Sequence, residues 1–408
     1  MRTSSRLVAL FGAASFVFAA CSSGSTGTSS PAASAPASQA AGSPPAAASG
    51  SPAASGSPAP SAVQAPDTKI GVVTDVGTVN DKNFNEYTYK GAQQGAQAIG
   101  VTGEIPYAVP KDAAEYGTLL QAYVDQKFDI IVTAGFNLGV ETTKFAHDNP
   151  DIWFIGVDQG PPCVDAQGLP DTTFACKGDA ATLLPKYIAL SYQEDQAGYL
   201  AGMVAASVSK KGTIGAISGI TLCGPCTRYI QGYELGAQSI NSSIKSKVAF
   251  VTESDFTKAF NDPVTGKSFG TQFLKTNPDV DVLFQVAGKT GNGILDAACD
   301  AGIYGIGVDV DQALSYPNAA KCTVTSAEKK LSLAVSTDIQ AITAGTAKGG
   351  DDHWDAARDG IGYSPFHDLQ SVVPADLTGK LDAAFQQMKT GALKTCPDKC
   401  GDVTTLQQ

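Results

Sequence analysis

The sequence predicts an α/β protein built on parallel sheets, and two observations carry that reading. Short apolar runs recur along the chain, bounded by turn residues, and their hydrophobicity is continuous rather than alternating, as in strands covered on both faces. Helical patterns lie between the runs, and strands alternating with helices imply parallel pairing through right-handed crossovers.

In chain order the runs are KIGVVTD (69–75), FDIIVTAG (128–135), WFIGVDQG (153–160), GTIGAISG (212–219), KVAFVTE (247–253), VDVLFQVAG (280–288) and YGIGVDVDQ (304–312). Between the third and fourth, EDQAGYLAGMVAASVSKKG places Ala197, Leu200, Ala201, Val204, Ala205 and Val208 on one helical stripe. Ligands of open α/β sheets sit beyond the carboxyl ends of the strands. Asp75, Asp158 and Asp309 stand at three such ends. A lone aspartate there is more often a helix N-cap or a solvated turn residue, but three at the ends of comparable strands point to one shared site.

At 408 residues the chain fits two domains of ordinary size. Its net charge of -11 and the lack of a Lys and Arg cluster argue against nucleic acid as a partner, because phosphate neutralisation needs clustered Lys and Arg. Residues 1–20 read as an export signal: Arg2 and Arg6 precede an apolar stretch from Leu7 to Ala20 that is too short to span a membrane. The stretch ends in FVFAAC, which resembles the lipobox of bacterial lipoproteins and makes Cys21 the expected lipidated residue, with Phe18 where those proteins usually carry Leu. Residues 21–66 are rich in Ala, Ser, Pro and Gly, carry no charge, and offer too little to bury, so a disordered tether is expected.

Nine cysteines less a lipidated Cys21 leave eight, and four disulfides suit an oxidising compartment. Proximity pairs Cys163 with Cys176, Cys223 with Cys226 and Cys396 with Cys400, and Cys299 and Cys322 remain for each other. CGPC at 223–226 follows a strand and precedes a helix, as in thioredoxin-like proteins. No tryptophan precedes it and the chain is far longer than a thioredoxin unit, so a structural bridge is the better reading.

Other chemistry finds little support. AGKTGNG at 287–293 lacks the first glycine of a phosphate-binding loop, because that position is Leu283 within a strand. The three histidines, His147, His353 and His367, have no metal-ligand spacing, and DVDQ falls short of a calcium loop. No G-x-S-x-G elbow occurs. The strand-end acids are therefore read as acceptors for ligand hydroxyl and amine groups, with no cofactor or metal expected.

KIGVVTDVGTVNDKNFNEYTYKGAQ, QEDQAGYLAGMVAA, FNDPVTGKSFG, AGKTGNGILDAA, GVDVDQ and TSAEKK, in that order, together resemble the basic membrane protein family, the purine-nucleoside-binding lipoproteins of ABC importers. The resemblance runs from about Lys69 to about Lys348 and implies a type I periplasmic-binding-protein fold: two doubly wound parallel-sheet lobes with a ligand cleft between them. It places one lobe at 67–193 with about 329–360 and the other at 194–328 with about 361–408, joined by crossings near Glu194, Lys329 and Gly360.

By motif, the resemblance makes Asp75 and Asp309 acceptors for ribose hydroxyls and Lys329 a donor to the same sugar. Asn85 and Asp158 would pair with the purine edge, Phe84 and Phe260 would clamp the base, and Gly288 would give the ribose a close backbone approach. The residue types fit such roles: an aromatic contact adds about 0.5–1.5 kcal/mol beyond burial, and a hydrogen bond to a charged acceptor about 1.5–3 kcal/mol. Also implied are an ABC permease as partner, a monomeric state, a lipid-anchored extracytoplasmic location and no catalysis. The chain departs from the family at Asn80 and Asp81, where two acids are common, in the long loop from Gly160 to Pro185, and at CGPC. Relatives that bind riboflavin keep another aromatic ligand open, as does a tethered sensor in place of an importer. A nucleoside hydrolase would need more aspartates than VTDVGTVND supplies, and a thiol-disulfide oxidoreductase would rest on Cys223 and Cys226.

Overall fold

The computed structural model describes residues 63–407. The expected signal segment 1–20, Cys21 with its lipid and nearly all of the 21–66 tether lie outside the described residues. The chain first runs β1 (Ile70–Thr74), α1 (Phe84–Ala98), β2 (Tyr107–Ala108), α2 (Tyr116–Asp125), β3 (Ile130–Ala134), α3 (Gly139–Asp148), β4 (Trp153–Val157), α4 (Ala180–Leu183) and β5 (Tyr187–Tyr192). It continues with α5 (Glu194–Val208), β6 (Thr213–Ile220), α6 (Gly224–Ile240), β7 (Lys245–Thr252), α7 (Phe256–Phe260), α8 (Pro263–Thr276) and β8 (Val282–Val286). Then come α9 (Gly288–Asp300), β9 (Tyr304–Asp309), α10 (Gln312–Ser315) and β10 (Thr323–Lys329), and α11 (Leu331–Thr343), β11 (Gly350–Trp354), β12 (Ile361–Tyr363) and α12 (Leu377–Lys389) follow.

The strands form two six-stranded sheets, ordered β11-β5-β4-β3-β1-β2 and β12-β10-β9-β8-β6-β7. Pairing is parallel except where β12 meets β10. The seven runs read from the sequence are β1, β3, β4, β6, β7, β8 and β9. The other five strands, β2, β5, β10, β11 and β12, escaped that reading. β5 is buried throughout but interrupts its apolar run with serine, and β10 (TVTSAEK) is mostly polar. β10 is buried because its polar groups find partners beside β12: Thr325 Oγ1 donates to the Ser364 carbonyl (2.7 Å), and the Ser326 amide donates to Ser364 Oγ (2.8 Å).

The chain passes from the first sheet to the second between β5 and α5, returns between β10 and β11, and leaves again between β11 and β12. Cys163–Cys176, Cys223–Cys226, Cys299–Cys322 and Cys396–Cys400 are all bridged.

Helices α5 and α6 approach through glycine. A Cβ on Gly198 would stand 2.1 Å from the Tyr229 carbonyl oxygen and one on Gly202 2.0 Å from that of Tyr233. In return, a Cβ on Gly232 would stand 2.0 Å from the Asp195 carbonyl oxygen and one on Gly236 1.9 Å from that of Tyr199. The GYLAG and GYELG repeats are thus a backbone-to-backbone interlock. Alanine normally stabilises a helix relative to glycine by up to about 1 kcal/mol, and a Cβ on Gly379, on the exposed face of α12, would meet no neighbouring group within 4 Å. Gly379→Ala should therefore stabilise the protein slightly, whereas Gly236→Ala should destabilise it by about 1–3 kcal/mol through overpacking. Urea unfolding of the two variants checks the opposite signs, and a stabilising Gly236→Ala would contradict the interlock.

Candidate functional site

The strand orders reverse between β1 and β3 in the first sheet and between β6 and β8 in the second. Such reversals open a crevice at the strand carboxyl ends. A cavity lies there, and Asp75, Phe84, Asn85, Asp158, Phe260, Gly288, Asp309 and Lys329 all line it.

Asp75 follows β1 and lies against Gly135, which follows β3. A Cβ on Gly135 would stand 2.0 Å from the Asp75 carboxylate, and the glycine holds φ +108, so no side chain is compatible with this contact. The Asn137 amide donates to Asp75 Oδ2 at 3.3 Å. Phe84 and Asn85 begin α1, whose first amides are held by Asp81: it accepts from Asn83 (2.8 Å), Asn85 (2.9 Å) and Glu86 (3.0 Å). Asn85 Nδ2 donates to the Val76 carbonyl at 2.8 Å, while its buried Oδ1 has no hydrogen-bond partner.

Asp158 and Asp309 end β4 and β9 in left-handed backbone, at φ 60 and 67, a conformation costing each about 1 kcal/mol. That geometry serves one cation. Lys329, the last residue of β10 and only 4% exposed, lies 2.5 Å from Asp158, 3.4 Å from Asp309 and 4.0 Å from Glu194. Glu194 also receives Arg228 Nε at 2.7 Å, and Tyr229 donates to Asp309 Oδ1 at 3.3 Å. The Lys329 ammonium stands 5.0 Å from the centre of the Phe84 ring. Asp158 Oδ1 is buried without a partner.

Burial pushes the Asp75 carboxyl up to about 7 against the pull of neighbouring amides. Asp158 rises to about 6, because burial and the nearby Glu194 and Asp309 outweigh the attraction of Lys329. Burial also raises Asp309, with Lys329 opposing. Burial would lower Lys329, but its three acids more than offset that and hold it above the ordinary range.

The acids that read as open acceptors are thus partly engaged by the lysine that read as a donor to ligand. The strand reading also left out Phe136, Tyr229, Asp81 and the bridged Cys223 and Cys226 with Pro225, all of which line the cavity. Phe136 stacks edge-on to Phe260 (6.1 Å) and lies 5.9 Å from Phe256. Two of the omissions follow the same rule as the aspartates: Phe136 closely follows β3, and CGPC follows β6. Among the described residues, Asp195, Cys396 and Cys400 lie close enough together to hold a metal, but both sulfurs are committed to their bridge.

A profile of PnrA-like ABC transporter substrate-binding proteins matches residues 68–389. The chain is 28% identical over 257 residues to the ABC transporter nucleoside-binding protein BmpA of Lactococcus lactis, a match covering 60% of this chain and 65% of that protein. It is 27% identical to an uncharacterized lipoprotein of Pyrococcus furiosus, over 72% of this chain and 69% of that one. Its fold resembles an ABC transporter solute-binding protein from Aeropyrum pernix, with TM-score 0.66, 20% identity and coverage of 82% of this chain and 98% of that one.

Asp75 gives the site a pH signature. Its folded-state value of about 7 lies above the ordinary 3.8, so the stability it lends is present below pH 4 and is lost as pH rises towards 7. Asp75→Asn removes that loss. In urea unfolding, the variant should gain on the parent by up to about 1.4 kcal/mol per pH unit across this window and level off above it. Parallel stability profiles would show that Asp75 ionises freely in the fold.

Proposed function

The chain belongs to the family of PnrA-like ABC transporter substrate-binding proteins, and from that premise we propose that it captures a purine nucleoside outside the cytoplasm and delivers it to an ABC importer. The observation that carries the reading is the pairing of aromatic walls with two unpartnered acceptors. Phe84, Phe136 and Phe260 suit a flat heterocycle, and the buried Asn85 Oδ1 and Asp158 Oδ1 lack donors. A buried acceptor without a donor costs about 1–3 kcal/mol, which N–H groups on a purine edge would relieve. Asp75 and Asp309 at the strand ends, with the Lys329 ammonium beside Asp309, suit the hydroxyls of a ribose. The Lactococcus relative named as nucleoside-binding supports the same ligand class.

FVFAAC and the Pyrococcus lipoprotein support a lipid anchor on Cys21, with the tether holding a monomeric receptor near its permease. No described helix is long and apolar enough to cross a membrane. Cys21→Ser should move the protein from the membrane fraction of its native host to the soluble one. Retention in the membrane fraction would exclude lipidation as the anchor.

Titration calorimetry with inosine, guanosine and adenosine tests the ligand. Each should bind and be recovered as intact nucleoside. Asp309→Ala should weaken nucleoside binding by about 1.5–3 kcal/mol, roughly tenfold to a hundredfold, and weaken free purine base much less. An equal loss for both ligands would remove Asp309 from the sugar site, and free base appearing in proportion to protein would replace the receptor reading with an enzymatic one.

A further inference from the structure

The CGPC bridge sits in the wall of the ligand cavity. It lies at the carboxyl end of β6, where the second sheet reverses its strand order, and Cys223, Pro225 and Cys226 line the same cavity as Asp309 and Lys329. Cys223 is the N-cap of α6, with its sulfur accepting the Cys226 amide at 3.2 Å. Arg228 and Tyr229 follow in the first turns of that helix and hold Glu194 and Asp309, two of the three acids around Lys329. The bridge therefore both faces the ligand space and anchors the helix end that positions the charged groups.

We propose that Cys223–Cys226 is a ligand-contacting, reducible element of this pocket: ligand shields the bridge from thiol reductants, and opening the bridge weakens ligand capture. The inference rests on the nucleoside reading above. The chemistry is thiol exchange with a small thiol or dithiol. A reductant thiolate attacks the Cys226 sulfur, a mixed disulfide forms, and Cys223 leaves as a thiolate already facing the Cys226 amide at a helix N-terminus, where negative charge is favoured. A second reductant thiol then displaces Cys226. Two electrons pass to the cysteines, two protons complete their thiols, and the reductant leaves as its disulfide. Cys223 and Cys226 are only 2% and 7% exposed, so a reductant reaches them through the cavity that ligand would fill. Shielding acts on the rate of reduction, whereas a ligand that favours the bridged form at equilibrium must bind the opened form more weakly.

The experiment uses the native protein with limiting dithiothreitol, timed alkylation and peptide mapping, with and without saturating inosine. Inosine should slow labelling of Cys223 and Cys226 at least tenfold and leave Cys396 and Cys400, which lie outside the cavity lining, unaffected. Calorimetry on Cys223→Ser/Cys226→Ser should give inosine affinity at least tenfold weaker; serine at 223 can still cap the helix, so the comparison isolates the bridge. Should that variant fail to fold, protection in the native protein decides alone. Equal labelling rates with and without saturating inosine overturn the proposal, as does undiminished affinity in a folded double variant, and both leave the nucleoside reading standing. Oxidised protein that binds no purine nucleoside overturns the nucleoside reading and this inference with it.

Discussion

The buried ammonium of Lys329 is the constraint on which the rest of the site depends. Removing such a group from water costs several kcal/mol, and only close, well-placed carboxylates offset it. Those carboxylates come from the end of β4 (Asp158), the start of α5 (Glu194) and the end of β9 (Asp309), and the lysine from the end of β10. The cage therefore exists only when both sheets are formed and face each other. Asp158 and Asp309 also tolerate left-handed backbone to reach the cation, and repulsion from Glu194 and Asp309 in a dry interior helps keep Asp158 above its ordinary range.

Much of this was legible in the sequence because buried parallel strands leave a strong local mark. Val72, Ile131, Phe154, Ile217 and Val308 lie in uninterrupted apolar runs, and the residues just after such runs are where α/β ligands bind. Signals that depend on a distant partner were not legible. Thr325 and Ser326 show no strand pattern until Ser364 satisfies them, and Phe136, although it follows β3, joins an aromatic wall only when α7 brings Phe256 and Phe260 opposite. The ion cage was hidden for the same reason: Lys329 and Asp158 are 171 residues apart, and no local pattern says that a donor has found its acids inside the protein.

The glycine interlock of α5 with α6 reaches this chemistry through the backbone. Glu194 opens α5, Arg228 and Tyr229 lie near the start of α6, and Gly198 meets the Tyr229 carbonyl just beyond them. From these positions Arg228 meets Glu194 at 2.7 Å across the close helix contact. Packing that looks like a matter of core density thus sets an electrostatic distance.

The placement of the cage at two of the three chain crossings has a mechanical consequence. Glu194 begins the segment that leaves the first sheet, and Lys329 ends the segment that returns to it. A rotation of one lobe about these crossings would have its fulcrum at the cage, where the lever arm is shortest. The same rotation would act at full arm on contacts farther out, such as Asn292 Nδ2 on the Asp81 carbonyl at 3.2 Å and Phe136 against Phe256 at 5.9 Å. The strongest charges would move least while the weaker contacts parted, so the mouth could swing with the ion cage held together.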